Sequence, residues 1–190
     1  MGRTSRRALA SLVIPTRCGA FFLLAALALA LPARALGVDE YRVKGAFLYN
    51  FAKFVEWPRD SNVGAKDELR VCVLGSGEVA SVLSEVMRGK SAGRRGVTVR
   101  RVDDLAEAAW CRIFFLTKSA DMEPEVIANS LGAASILTVG ETSGFASRGL
   151  MVNFVTEASK VRFEINEKAA QRAGLKISSK LLRLASSVVD

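Results

Sequence analysis

The chain has 190 residues, half of them hydrophobic, with 27 Lys and Arg against 19 Asp and Glu and no histidine. Without histidine there is no Ser-His-Asp or Cys-His catalytic pair, no His-based metal site and no imidazole proton switch. The length suits one domain with a core large enough to fold without several staples.

Residues 1–35 read as a cleaved export signal: Arg3, Arg6, Arg7 and Arg17, then an apolar run from Gly19 to Leu31, then Ala33-Arg34-Ala35. The apolar run is short for a membrane span, which needs about 20 residues. Cleavage is expected after Ala35, leaving residues 36–190 as the mature domain. Ser5-Arg6-Arg7 resembles a twin-arginine signal, but a general secretory leader fits better, and Cys18 lies ahead of the apolar run, where no lipid acceptor belongs. The leader takes five Arg and no acid, so 22 basic and 19 acidic groups remain, a net charge of +3. That small excess does not point to nucleic acid. The remaining basic cluster, from Arg88 through Arg94 and Arg95 to Arg101, lacks interleaved aromatics and reads as a solvated loop and strand face.

In the mature part, helical spacing of Val43, Ala46, Phe47, Phe51, Phe54 and Val55 predicts a helix over 39–57, stopped by Pro58. Leu69 to Leu74 reads as a strand, followed by Gly75-Ser76-Gly77 and a helix over about 78–88. Gly89 to Gly96 is a basic turn, Val97 to Val102 a second strand, and Asp103 caps a helix reaching Trp110. Ile113 to Leu116 is apolar throughout, as a buried parallel strand should be. A helix over about 123–131 and a strand over 135–139 follow. After the glycine-punctuated stretch 140–149, strands over 150–156 and 161–165 form a hairpin around Glu157-Ala158-Ser159-Lys160. Asn166 caps a helix to Ala173, Gly174 breaks it, and Ile177, Leu181, Leu182, Leu184 and Ala185 form a last apolar stripe. The alternation predicts an α/β fold: one three-layer domain with a mostly parallel, doubly wound sheet, a C-terminal hairpin and helices.

Only Cys72 and Cys111 outlive the leader, and in an exported chain two cysteines read first as one disulfide, the alternative being two buried thiols. Gly75-Ser76-Gly77-Glu78-Val79-Ala80 meets the G-x-G-x-x-A spacing of a dinucleotide turn, with Asp103 and Asp104 after the next strand. Against that function stand the Glu78 carboxylate near the place of the pyrophosphate and the lack of a second domain. A tight strand-to-helix turn is the better reading, and no cofactor is expected. The ends of the first and third strands, Leu74-Gly75-Ser76 and Leu116-Thr117-Lys118, carry no carboxylate for a receiver-type Mg²⁺ site. Phe47, Phe51 and Phe54 suit a core stripe, whereas Tyr49 and Trp57 fall off it and are candidate partner anchors.

Several stretches, in this order, resemble the YfiR family of periplasmic proteins: Glu40-Tyr41-Arg42-Val43-Lys44-Gly45-Ala46-Phe47 continuing to Glu56-Trp57-Pro58; Val71-Cys72-Val73-Leu74-Gly75; Ile136-Leu137-Thr138-Val139-Gly140; Val161-Arg162-Phe163-Glu164-Ile165-Asn166; and Ala173-Gly174-Leu175-Lys176-Ile177-Ser178. The resemblance implies a non-enzymatic periplasmic regulator. Its family restrains an inner-membrane diguanylate cyclase through the cyclase's periplasmic sensor part and is relieved by an outer-membrane-associated lipoprotein. By position, Cys72 and Cys111 match the family's disulfide. Some members carry a further cysteine pair after the fourth strand, where this chain has Phe145, Ala146, Val152 and Asn153 and no Cys. In the terminal stretch Glu164, Arg172, Lys176 and Ser178 are candidate partner residues together with Tyr49 and Trp57. Any oligomer is expected to be a homodimer, the commonest closed form. The alternative function is a periplasmic small-ligand binder or dinucleotide-dependent oxidoreductase using the turn at Gly75.

Overall fold

A computed structural model describes residues 33–58, 68–92 and 95–189. Helix α1 (Ala33–Phe54) turns Leu48 and Phe51 into the core, and both are fully buried. It ends three residues before the expected stop, because Val55–Glu56 leaves the helix as strand β1 and pairs antiparallel with Lys176–Ile177. The first helix turn lies ahead of the expected Asp39; the expected leader lies outside the described residues as far as residue 32.

Next come β2 (Glu68–Leu74), α2 (Gly77–Met87), β3 (Ser91–Ala92), β4 (Arg95–Val102), a 3-10 helix (Leu105–Trp110), β5 (Ile113–Leu116), α3 (Pro124–Leu131) and β6 (Leu137–Gly140). The chain closes with β7 (Val152–Glu157), β8 (Lys160–Asn166), α4 (Glu167–Arg172), β9 (Lys176–Ile177), α5 (Ser179–Leu182) and β10 (Ser187–Val189). Eight strands form one sheet in the order β10-β8-β7-β6-β5-β2-β4-β3, while β1 and β9 form a separate ribbon. Strands β4, β2, β5, β6 and β7 run parallel, β8 returns antiparallel to β7, and β10 is parallel to β8. The sheet is mixed and mostly parallel, and the α/β three-layer expectation holds.

Alternation along the central strands builds both faces. Val71, Val73, Ile113 and Phe115 pack under α1, α2, α4 and α5, whereas Cys72, Leu74, Phe114 and Leu116 pack under the 3-10 helix and α3. A strand covered on both sides has no polar face to show, hence its continuous apolar run. On the first face Phe47, Phe51, Phe154 and Phe163 form a ring cluster with centroids 5.1–6.2 Å apart, within the favourable range for aromatic pairs.

Several expected boundaries move for local reasons. Asp104 rather than Asp103 caps the 3-10 helix, accepting from the N–H groups of Ala106 and Glu107 at 2.8 and 3.3 Å, while Asp103 pairs with Arg101. The basic turn contains β3, which pairs back on β4. The last apolar stripe is helical only over Ser179–Leu182; Ser187–Val189, rich in β-branched residues, joins the sheet as an edge strand instead. Asn166 caps α4 as expected, its Oδ1 accepting from Ala169 N at 2.8 Å and its Nδ2 donating to the Ala146 carbonyl at 2.9 Å.

Candidate functional site

Strand β2 is followed by β4 on one side and flanked by β5 on the other, so successive connections diverge above its C-terminal end. In doubly wound sheets this divergence opens a crevice where ligands bind. Here the crevice has about 620 Å³ and is lined by Gly75, Ser76, Arg101, Asp103, Ser119 and Asp121, among others. Gly75 has φ +111°, and a Cβ there would lie 2.2 Å from Thr117 Oγ1 and 3.0 Å from Ala120 N. Thr117 is buried and donates to the Leu74 carbonyl at 2.9 Å, so it cannot yield without breaking that bond. Gly77 differs: its added Cβ would meet only Arg101 Cδ, at 3.5 Å. Gly75→Ala is therefore expected to cost about 2–3 kcal/mol through backbone strain and the clash, whereas Gly77→Ala is expected to be neutral or slightly stabilising. Urea unfolding of the two variants checks the contrast; equal losses would show that the tight turn is not what Gly75 supplies.

Along the same edge, the residue after β6 builds an arrangement that the sequence reading missed. The Glu141 side chain is fully buried, and its carboxylate accepts from Lys44 Nζ at 2.5 Å, from the Tyr41 hydroxyl at 2.9 Å and from Lys118 N at 2.7 Å. Lys44, with its side chain only 4% exposed, also pairs with Glu40 one helical turn earlier. Burial, and next the Glu141 charge, push the Tyr41 phenol above its ordinary range, so it stays protonated and donates. A recess of about 310 Å³ opens beside these groups, with Lys118, Ser143 and Thr156 on its wall. The signal in the sequence was a lone acid directly after a buried strand; nothing in a one-dimensional pattern joined it to Tyr41 and Lys44. Among the described residues no group of three His, Cys, Asp or Glu side chains is placed to hold a metal ion.

Cys72 and Cys111 form a disulfide with Cα atoms 5.8 Å apart, and both are fully buried. The bridge ties β2 to the end of the 3-10 helix. Nearby, the Trp110 ring is flanked by the Arg70 and Arg100 guanidinium groups, each 4.9 Å from its centroid.

The candidate partner residues do not form one site. Trp57 directly follows β1 and Lys176 lies on β9, so both belong to the β1–β9 ribbon corner, where Glu56 is the cross-strand partner of Lys176. Ser178 belongs to the same corner: its N–H donates to the Phe54 carbonyl at 2.9 Å, and its hydroxyl caps α5 at Leu181 N. Trp57 is half-buried, its indole N–H is buried with no hydrogen-bond partner among the described residues, and Arg112 stands 6.0 Å from its ring. Arg172 is exposed at the end of α4 and lines a groove with Ala128 and Asn129 of α3. Glu164 lies on β8 near one end of the sheet, accepting from Asn153 Nδ2 at 3.4 Å. Tyr49 lies by β3 at the opposite end, its hydroxyl donating to the Ser91 carbonyl at 2.7 Å.

A comparison with known families matches residues 41–186 to the one described as YfiR/HmsC-like. The chain belongs to the YfiR/HmsC-like family. Among solved structures, this YfiR/HmsC-like chain is similar to a conserved domain protein from Vibrio cholerae O1 biovar El Tor, with 13% identity and a TM-score of 0.51 over 78% of this chain and 60% of that one. It also matches the ABC domain in complex with L-Trp from Streptococcus pneumonia, with 12% identity and a TM-score of 0.47 over 64% of this chain and 55% of that one. The chain thus spans 55% and 60% of the lengths of these two proteins, and the first likeness concerns the fold alone.

In the region where some YfiR relatives carry further cysteines, this member packs Phe145 and Asn153 around Gly140. A Cβ on Gly140 would lie 2.9 Å from Phe145 Cδ2 and 3.0 Å from Asn153 Oδ1. The position is filled by close packing and by Asn153, which is fully buried.

Proposed function

We propose that this chain is an exported periplasmic protein, cleaved after Ala35, that restrains an inner-membrane diguanylate cyclase by binding its periplasmic sensor part. Restraint lowers cyclic di-GMP and biofilm formation, and an outer-membrane-associated lipoprotein relieves it; any oligomer is a homodimer. The observation that carries the reading is the YfiR/HmsC-like match across residues 41–186, which takes in nearly all of the folded part. The ribbon corner with Trp57, Lys176 and the neighbouring Arg172 is the proposed contact, its exposed cations tuning association at the rim of a half-buried aromatic.

Charge reversal at Arg172 and Lys176 is expected to raise cellular cyclic di-GMP severalfold in a strain lacking the wild-type copy. Both side chains are exposed, so periplasmic protein level should be unchanged. Cyclic di-GMP and protein level are measured together; full restraint by the double variant removes this corner, and a gene deletion without effect on cyclic di-GMP removes the function. The crevice at Gly75 and Ser76 favours a second reading, a small-ligand binder. Stoichiometric nucleotide copurifying with the protein would put that reading first.

A further inference from the structure

Between Arg88 and Arg101 the sequence carries six cations and no acid, and the fold divides them. Arg100 pairs with Glu107 and Arg101 with Asp103, which neutralises the inner end of the cluster. At the outer end, along the β3 edge of the sheet, α1 contributes one more cation and an aromatic ring. Lys53 Nζ stands 4.1 Å and Lys90 Nζ 5.4 Å from the centroid of Tyr49, and Arg88 is exposed just ahead of Lys90.

None of these three cations makes an ion pair among the described residues, although the exposed Arg42 and Arg148 do, with Glu85 and Glu125, as does the half-buried Arg70 with Glu68. Two ammonium groups therefore share one ring with no carboxylate between them, an arrangement that an external anion would stabilise. The Tyr49 hydroxyl is already bonded to the Ser91 carbonyl, so the ring offers no directional donor to a partner. Lysine is a compact, hydrated charge on a flexible stem, whereas arginine is the residue of planar, bidentate recognition. Two flexible ammonium groups around a tyrosine, with one exposed guanidinium beside them, suit a layer of phosphate headgroups better than the carboxylates of one protein segment.

We propose that the β3 edge, through Lys53, Arg88, Lys90 and the Tyr49 ring, rests on an anionic lipid surface. Such a contact would hold the domain at a bilayer whether or not a cyclase is its protein partner. Each cation brought to such a surface raises partitioning about fivefold, so the three together give about a hundredfold. The attraction weakens as salt shortens the Debye length to about 8 Å at physiological strength.

The test is sedimentation of the purified exported chain with vesicles of phosphatidylcholine alone or mixed with phosphatidylglycerol in about equal parts, at low and physiological salt. The wild type is expected to bind the mixed vesicles, to ignore the neutral ones and to be released by salt. Lys53→Glu with Lys90→Glu should reduce binding by at least about tenfold with an unchanged thermal melt. Failure of the wild type to bind the mixed vesicles overturns the proposal. So does binding that survives the double variant but is lost in Arg172→Glu with Lys176→Glu, which would move the contact to the corner at the β1–β9 ribbon. A wild type that ignores the vesicles yet binds a deca-glutamate peptide through Lys53 and Lys90 would reassign the surface to an acidic protein.

Discussion

Replacing Glu141 by alanine is expected to cost about 3 kcal/mol, the lower end of what breaking a buried ion pair costs, because Lys44 keeps Glu40 as a second partner. The loss comes from what stays behind rather than from the missing attraction. Lys44 is left with its side chain 4% exposed and only the partly exposed Glu40 to balance it. The Tyr41 hydroxyl and Lys118 N–H lose their acceptor as well. Glu141→Gln should cost less, since an amide oxygen still accepts, and Lys44→Met combined with Glu141→Gln should recover much of either single loss, because an apolar side chain beside a neutral amide leaves no stranded charge. Urea unfolding of the singles and the double gives the coupling. A loss below about 1 kcal/mol for Glu141→Ala would mean that the site rehydrates on truncation.

The second large effect concerns the bridge. Cys72→Ala with Cys111→Ala is expected to destabilise by about 2–4 kcal/mol, since the bridge closes a loop with a sequence separation of 39 and removes much of that loop's freedom from the unfolded chain. Both cysteines are fully buried under the 3-10 helix and α3, so the replacements leave a small cavity in addition. Lower periplasmic abundance should follow through proteolysis of the unfolded fraction. Intact mass before and after alkylation, with and without reductant, shows whether the exported protein holds the bond. Two alkylatable thiols without reductant would refute it, and so would an unchanged unfolding midpoint in the double variant.

Periodicity in the chain was enough for the layer architecture, because each central strand is apolar on both faces and each helix between them on one. Local chemistry was enough for the Asn166 cap, the break at Gly174 with its φ of +73° and the tight turn at Gly75. Count and compartment together pointed to the pairing of Cys72 with Cys111. These features depend on a few neighbouring residues, or on a choice with few alternatives, and a linear reading contains that information.

What tertiary structure decided lies where distant segments meet. Val55–Glu56 looks like the last turn of a helix, and only the arrival of Lys176–Ile177 makes it a strand. Ser187–Val189 is too short to declare itself and becomes part of the sheet because β8 offers a free edge. Trp57, Lys176 and Ser178 share a corner through that same ribbon, whereas Tyr49 and Glu164, grouped with them by residue type, sit toward opposite ends of the sheet. Glu141 shows the reason most directly: it lies 97 residues from Lys44 and 100 from Tyr41, and no local propensity carries such a pairing. Short-range patterns fix what a segment can become; which charge is buried against which is settled only when the packed layers exclude water and leave each polar group to find its partner.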